Sequence, residues 1–594
     1  MEKVARFFSL KISEHGGLKK ISNFKFQISN FKNPHTWLLA SILSLAAYLR
    51  LNRISDYMTF LGDEGRDVLV VRGILGGDLT LLGPRASAGD FFTGPIYYYF
   101  MAPFLWLFNY DPVGPAVMIA LLGIITVFLV YVIGKRIFGN TAGLIAAFLY
   151  TISPVVIAYS RSSWNPNPMP FFSLVMALVL YKAMKLQKLS LYVVSGILFG
   201  LMLQLHYIEL FFGIVIFFFI VLGNYFFHRS KVVKKSLKQS LAFFGGCIVG
   251  FSPFLAFEIK HGFPNFKTIL GFILDQESTG ETIQRPFFET VGNVFFRLFG
   301  RLITRFPPPE QISTKETVEA SLWFWGTVML GIAAMFVIFR IKDSIWKLFI
   351  GLWFGIGILL FGLYQKSIYD YYFEFLFPLP FLLVGSLLSK TRQSVIALSF
   401  VWYIVSVIAL YHLDIPYIRE NILYLFLPIP FLVLFHLRDW KNKRVFLLSL
   451  FSSSVFVGLV MINLYGYPFQ YEPNRQKDQV RMIAEFVLEK TEGKPFNFAL
   501  LTLGNSDHGY RYFFDLHDRN PVTIKNEAVD PERTSITDQL LIVCEDPNCQ
   551  PLGHSLWEVA GFGRAEIEDV WEVSVVKVYK LRHYQEIDNR YVIN

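Results

Sequence analysis

The sequence is poor in charged residues. Asp, Glu, Lys and Arg make up 17% of its 594 residues, whereas soluble domains carry about a quarter. It has three cysteines, no metal-binding spacing such as CxxC or HExxH, and no glycine-rich nucleotide loop following a strand. The low charge argues against a soluble globular domain, and the missing motifs give no support for chemistry driven by ATP or nicotinamide.

Long apolar runs dominate instead. Hydrophobic residues reach 54% of the chain, and about 20 apolar residues suffice to cross a bilayer. We predict about thirteen transmembrane helices, at 36–52, 112–134, 141–159, 170–185, 190–205, 208–227, 241–258, 321–340, 346–364, 371–389, 393–411, 422–437 and 444–464. The short stretch 95–108 is bounded by proline and is interpreted as re-entrant or interfacial.

The basic residues predict an orientation. Clusters of Lys and Arg fall in alternate loops, as the positive-inside rule requires of cytoplasmic loops. They include Lys135–Arg136, the 229–238 loop and the 438–444 loop. We expect a multi-pass protein of the cell membrane with a cytoplasmic N-terminus. The net charge of +10 then reflects contact with the lipid bilayer and requires no nucleic acid.

Three regions are predicted. Residues 1–35 form a basic cytoplasmic tail, 36–467 a transmembrane domain with outer loops 53–111 and 259–320, and 468–594 an extracytoplasmic α/β domain. In the last region, periodicity predicts helices at 475–490 and 508–517 and strands at 496–503, 521–525, 540–545 and 571–581. Cys544 and Cys549 could form a disulfide on the outer side.

The first outer loop carries the strongest chemical signal. Ionisable residues beside a bilayer are costly and usually functional. Asp63 is the candidate general base for an acceptor hydroxyl. Glu64 could hold the acceptor, or bind a divalent cation together with Asp63, and Arg66 could stabilise a leaving phosphate. A plain solvated turn is the alternative interpretation.

These residues resemble those of the membrane glycosyltransferases of the GT-C fold, in particular glycosyltransferase family 39, which includes protein O-mannosyltransferases and aminoarabinose transferases. The resemblance rests on Asp63-Glu64 with Arg66, on Gly94-Pro95-Ile96-Tyr97-Tyr98, and on Ser160-Arg161 through Trp164-Asn165-Pro166. It implies an inverting transfer of a sugar from a polyprenyl-phosphate donor to an acceptor on the outer face, with Asp63 as catalytic base, Glu64 as an acceptor-side or orienting carboxylate and Arg66 as a phosphate contact.

The sequence also departs from that family. Thr93-Gly94-Pro95 replaces a Lys-Pro-Pro segment, so one phosphate-binding cation is absent and Arg85 or Arg161 is expected to substitute. Asn165 replaces an acidic residue, and Asp370-Tyr371 stands near a position where relatives have His-Tyr. Recognition of the donor is therefore expected to differ.

Other polar residues at the outer edge are candidates for substrate binding. These are Tyr97, Tyr98, Asn165, His206, Tyr207, Asp370 and Tyr371. Interfacial aromatic residues are commonly membrane anchors. Glu258 is expected to form an ion pair with Lys260 or His261, and Asp507 and His508 resemble a catalytic pair only superficially.

Other functions stay open. A secondary transporter or a flippase of lipid-linked glycans would also be polytopic, although transporters typically show repeated halves and ionisable residues at mid-membrane. A glycan ligase or a non-catalytic assembly factor of the cell envelope would not need Asp63. The sequence identifies neither the sugar nor whether the acceptor is a protein, a lipid or a glycan, and it requires no cofactor beyond an optional divalent cation.

Overall fold

The computed structural model describes residues 34–86, 91–274, 285–306, 318–364, 366–412, 442–546 and 548–584. Most of these residues are helical, and one four-stranded sheet lies in the C-terminal part of the chain. The predicted span 422–437 and nearly all of the predicted tail 1–35 lie outside the described residues.

Most helices preceding the C-terminal domain lie in the predicted apolar runs, whereas Ile54–Tyr57, Gly62–Leu75, Pro264–Leu274 and Phe287–Gly300 lie in segments predicted as loops. In chain order the helices are Pro34–Leu51, Ile54–Tyr57, Gly62–Leu75, Ile96–Leu107, Val113–Phe138, Asn140–Ile152, Pro154–Tyr159, Met169–Leu186, Leu189–Leu205, Leu210–His228, Val232–Gly250, Ser252–His261, Pro264–Leu274, Phe287–Gly300, Val318–Phe336, Ser344–Leu359, Pro378–Leu387, Gln393–Val407 and Lys443–Leu464. Short 3-10 segments lie at Tyr207–Glu209, Val337–Arg340, Leu360–Leu363, Asp370–Leu376 and Pro468–Gln470, and a π-helical turn lies at Ile408–His412.

Seven helices in the described part of the chain are long and apolar enough to cross a membrane, and the number is eight if one bent pair counts as a span. Four further apolar helices are shorter, at Ile96–Leu107, Asn140–Ile152, Leu189–Leu205 and Pro378–Leu387. A multi-pass helical architecture is therefore confirmed, while the number thirteen is not.

Proline accounts for part of this difference. A proline lacks the backbone N–H that a continuing helix needs. The predicted span 141–159 is interrupted at Ser153, immediately before Pro154, and the predicted span 371–389 begins as a 3-10 segment that ends before Pro378. Helices Val232–Gly250 and Ser252–His261 meet at an angle of 73°.

Four glycines allow one helix pair to pack with its backbones in contact. Gly196 and Gly200 on one helix face Gly246 and Gly250 on the other, and a Cβ at any of them would overlap backbone atoms of the partner helix. Small residues spaced four apart are typical of close helix pairs in membranes. Gln204 then joins this pair to the start of helix Ile96–Leu107, because its Nε2 donates to the Gly250 carbonyl (2.6 Å) and its Oε1 accepts from the Ile96 N–H (3.3 Å).

The C-terminal domain is a mixed α/β unit. Its helices are Gln476–Lys490, His508–Leu516 and Trp557–Ala560, and its strands are β1 (Asn497–Leu501), β2 (Gln539–Cys544), β3 (Ala565–Val573) and β4 (Val576–His583). The strand order is β1-β2-β4-β3, with β1 parallel to β2 and the other neighbours antiparallel. Cys544 and Cys549 are joined by a disulfide.

The predicted elements of this domain are largely confirmed, with two corrections. Residues 521–525 do not form a strand, and Val522 makes a backbone hydrogen bond to the Phe496 carbonyl (2.8 Å) without joining the sheet. The predicted strand 571–581 is in fact the end of β3, a turn at Ser574–Val575 and most of β4. Alternation alone does not reveal a tight turn inside an apolar run.

The contact between the two glycine-bearing helices yields a stability prediction. Replacing Gly246 by Ala should lower the thermal unfolding midpoint in detergent, because the new methyl group overlaps the Val193 carbonyl; overpacking typically costs about 1–3 kcal/mol. Gly245→Ala is the matched control, because a Cβ there meets no atom within 4 Å. Equal midpoints for the two variants would contradict close packing.

Candidate functional site

The helix Gly62–Leu75, called here the site helix, begins at the acidic pair. Glu64 accepts a hydrogen bond at Oε2 from the Leu61 N–H (3.0 Å), and so satisfies a backbone donor at the helix start. Its side chain is buried, with the residue 8% exposed, and burial raises the pKa of Glu64 to about 7. Glu64 therefore stabilises the helix that carries Asp63 and faces away from solvent.

The side chain of Asp63 is exposed to solvent and is held by Arg66. The Asp63 side chain is 54% exposed, and its Oδ1 accepts from Arg66 Nη1 (2.8 Å). Arg66 also donates from Nε (3.0 Å) and Nη2 (2.8 Å) to Oδ1 of buried Asp67, which accepts in addition from the Tyr98 hydroxyl (3.3 Å). Burial raises the pKa of Asp67 to about 6, against the opposing effect of Arg66. Arg66 is thereby fixed between two carboxylates.

A small polar pocket brings many of the predicted residues together. Its volume is about 30 Å³, so a sugar ring would enter only if side chains at its edge moved apart. It is lined by Asp63, Arg66, Pro84, Arg85, Ala86, Thr93, Trp164, Asn165, Pro166, His206, Tyr207, Tyr371 and Tyr372.

Aromatic rings form one wall of this polar pocket. Tyr371 lies 4.3 Å from Trp164 between ring centroids, and His206 is stacked on Tyr207 at 4.8 Å. The 3-10 segment that carries Tyr371 is anchored by Asp370, which accepts from Arg297 (2.8 Å from Nε) and Arg301 (3.1 Å from Nε). Asp370 thus positions this wall and does not line the pocket.

A large apolar cavity adjoins the polar pocket. Its volume is about 460 Å³, and it shares Thr93 and Tyr207 with the pocket. The cavity is lined by Phe91, Phe92, Thr93, Gly94, Leu203, Tyr207, Ile208, Leu210, Phe211, Phe251, Phe254, Phe266, Ile269, Leu363, Tyr364 and Lys366. Among the described residues of this lining, Lys366 alone carries a charged side chain, so the site has a polar end and an apolar end.

Part of the predicted loop 259–320 forms a wall of the cavity. Helix Pro264–Leu274 carries Phe266 and Ile269. Glu258 accepts from Asn265 Nδ2 (2.7 Å) and from the Phe266 N–H (3.0 Å) at the start of this helix. The expected ion pair of Glu258 was therefore wrong, because the carboxylate is used as a helix cap.

Several predicted site residues lie outside the polar pocket. Arg161 donates to the carbonyls of Leu49 and Asn52, both at 2.8 Å, and packs on the Phe469 ring. Tyr97 is buried and bonded to Ser163 (2.8 Å). Glu64, Tyr98 and Asp370 support neighbouring residues as described above, so any role of these five in substrate contact stays a prediction.

The structure also adds residues that sequence reasoning did not single out. Asp67 fixes Arg66, and its position one helical turn after Asp63 was the available signal. Trp164, by contrast, belongs to a segment that carries the resemblance, and it lines the polar pocket together with Tyr372, the aromatic residue that follows the predicted Tyr371. Lys366 had no signal, since its place in the cavity depends on distant helices.

This arrangement belongs to a known class of fold. The chain has the fold of the GT-C membrane glycosyltransferases, and the expected resemblance is confirmed at that level. Residues 93–257 match the family model described as dolichyl-phosphate-mannose-protein mannosyltransferase. No curated protein matches the chain in sequence.

Two solved structures with this fold are similar over almost the whole chain. One is ArnT from Cupriavidus metallidurans bound to undecaprenyl phosphate, with a TM-score of 0.54 and 13% identity, covering 92% of this chain and 98% of that one. The other is the same protein in the apo state, with a TM-score of 0.54 and 13% identity, covering 92% and 97%. At this identity the similarity concerns the fold.

The buried Glu64 gives a pH prediction. The unfolded chain releases this proton near pH 4.5 and the folded chain near pH 7. The folded state binds more protons in between, and the stability contributed by Glu64 falls as pH rises through this window. Glu64→Gln keeps an oxygen acceptor for the Leu61 N–H but does not titrate. The thermal unfolding midpoint of the variant, minus that of the wild type, should therefore increase from pH 5 to pH 8. A difference independent of pH would contradict the buried carboxyl.

Proposed function

We propose that the protein is an inverting glycosyltransferase that moves a sugar from a polyprenyl-phosphate donor to an acceptor at the outer face of the membrane. The observation that carries the proposal is the junction of the polar pocket, which contains Asp63 and Arg66, with the large apolar cavity. A donor with a charged phosphate and a long isoprenoid chain needs both environments side by side.

Asp63 is the proposed general base. The acceptor oxygen forms a bond to the anomeric carbon on the face opposite the phosphate, the bond from that carbon to the phosphate oxygen breaks, and the electron pair leaves with the polyprenyl phosphate. The acceptor proton passes to Asp63 Oδ2, because Oδ1 already accepts from Arg66. This single displacement inverts the configuration at the anomeric carbon.

Three cations among the described residues line the polar pocket or the apolar cavity. Arg66 and Arg85 line the polar pocket, and Lys366 lines the apolar cavity. We propose that Arg66 and Arg85 contact the phosphate, as guanidinium groups suit phosphate oxygens, and that Lys366 adds positive charge near the junction. Glu64 is assigned an orienting role, because its carboxylate caps the site helix.

The apolar cavity is the proposed site of the polyprenyl chain. Its lining is aromatic and aliphatic apart from the charged Lys366 and a few polar groups, and its volume suits several isoprene units. Support comes from the similarity in fold to ArnT, whose structure holds undecaprenyl phosphate. The sugar would then lie in the polar pocket, against Trp164, Asn165, His206 and Tyr371.

The orientation and the division of the chain complete the proposal. The N-terminus and residues 1–35 are assigned to the cytoplasm, residues 36–467 to the transmembrane domain, and residues 468–594 to the outer side of the cell membrane. The alternation of basic loops supports this assignment.

The assignment of Asp63 can be tested directly. Purified protein in lipid, given radiolabelled polyprenyl-phosphate sugars and envelope acceptors, should transfer label, and Asp63→Asn should reduce the rate by roughly 10²- to 10⁴-fold, the usual contribution of a general base. Asp56→Asn is the control, since Asp56 pairs with Arg53 on the surface (2.8 Å). Unreduced transfer by Asp63→Asn would reject Asp63 as the base.

The lipid cavity has its own test. Ile269→Trp should fill part of the cavity and raise the KM for a long-chain donor more than for a donor of two isoprene units, because only the long chain needs the full volume. Leu270→Trp is the matched control, because Leu270 is exposed and does not line the cavity. Equal effects of Ile269→Trp on both donors would place the chain elsewhere.

A further inference from the structure

The C-terminal domain packs directly on the first turn of the site helix. Gly62 faces Ser506, and Gly65 faces the backbone of Gly509; a Cβ at either glycine would overlap these atoms. The two glycines flank Asp63 and Glu64 in sequence. The segment 505–509, which ends in the first turn of helix His508–Leu516, therefore approaches the site helix more closely than side chains at Gly62 and Gly65 would permit.

Asn505 makes the polar contact at this junction. Its Oδ1 accepts from the Gly62 N–H (2.8 Å), which is one of the backbone donors that the first turn of a helix leaves without an intrahelical partner. Glu64 satisfies the neighbouring Leu61 N–H from within the helix. The start of the helix is thus held by one acceptor of its own and one from the C-terminal domain.

Glu545 sets the orientation of the Asn505 amide. Asn505 Nδ2 donates to both carboxylate oxygens of Glu545 (3.0 and 3.2 Å), and the Tyr510 hydroxyl donates to Oε1 (2.9 Å). Glu545 directly follows β2, and its N–H donates to the Leu501 carbonyl at the end of β1 (2.9 Å). Because Nδ2 is committed to Glu545, Oδ1 lies on the other side of the amide, where it accepts from the Gly62 and Ser506 N–H groups (both 2.8 Å).

We propose that Asn505, oriented by Glu545, is a positioning residue through which the C-terminal domain fixes the carboxylate of Asp63 for proton transfer. This inference rests on the proposed function of Asp63. The hydrogen bonds that connect Glu545 to Asn505 and Asn505 to Gly62 end one residue before Asp63. Without the Asn505 acceptor, the first turn of the site helix, which carries the Asp63 carboxylate, would be less rigidly held. Asn505 itself acts through the helix and touches no substrate.

The test compares transfer kinetics with amide hydrogen exchange in the full-length protein. Asn505→Ala should accelerate exchange at residues 61–66 and lower kcat roughly five- to tenfold, the rate equivalent of one lost cap, with little change in KM. Arg72→Met is the control, because Arg72 joins the other end of the site helix to Asp515 of the same domain (2.9 Å). It should leave kcat and exchange at 61–66 unchanged.

A rescue separates positioning from general destabilisation. Asn505→Asp keeps the acceptor for Gly62 but places two carboxylates together, whereas the double variant Asn505→Asp with Glu545→Gln lets the new amide donate to the new carboxylate. The double variant should recover kcat relative to Asn505→Asp alone. Equal kcat for Asn505→Ala and Arg72→Met, or no recovery in the double variant, would overturn the inference.

Failure of the proposed function gives a different result. If the wild type transferred no sugar, the proposed function would be rejected, and the exchange comparison would still decide whether Asn505 holds the helix. Unchanged exchange at 61–66 in Asn505→Ala would overturn the inference even with an active wild type.

Discussion

The geometry of the site depends on one shared cation. Arg66 donates to Asp63 on the solvent side and to buried Asp67 on the protein side, so a single guanidinium group fixes the exposed carboxylate relative to the bundle. Buried Asp67 accepts hydrogen bonds at Oδ1 from Arg66 and from the Tyr98 hydroxyl, and the charge of Arg66 offsets part of the cost of burying this carboxylate. The exposed carboxylate of Asp63 is held by Arg66 through Oδ1 alone, so its other oxygen, Oδ2, is not used in this ion pair.

The polar pocket is assembled from segments far apart in the chain. The site helix supplies Asp63, the segment after Tyr159 supplies Trp164 and Asn165, and the segment 370–376 supplies two tyrosines. Each segment is anchored by buried polar contacts, such as those of Asp370 with Arg297 and Arg301.

Most of the fold could be predicted from the sequence, because apolar runs and alternating strands are local signals. The site was predictable only in part. Asp63 and Glu64 are adjacent, and successive helical residues point about 100° apart; which of them faces the pocket depends on where the helix begins. Arg161 resembled a phosphate ligand, but its burial against Phe469 comes from a contact across more than three hundred residues. The absent strand at 521–525 shows the same limit, since a strand needs a partner that local alternation does not supply.

The hydrogen bond between Gly62 and Asn505 spans 443 residues of sequence. Closing so long a segment costs conformational entropy, and contacts between distant residues therefore form slowly. During synthesis, the N-terminal helices can insert while the residues that cap the site helix do not yet exist. The candidate site is therefore completed only when the C-terminal α/β domain has been made, and a chain terminated before Asn505 would carry Asp63 on a helix without its external cap.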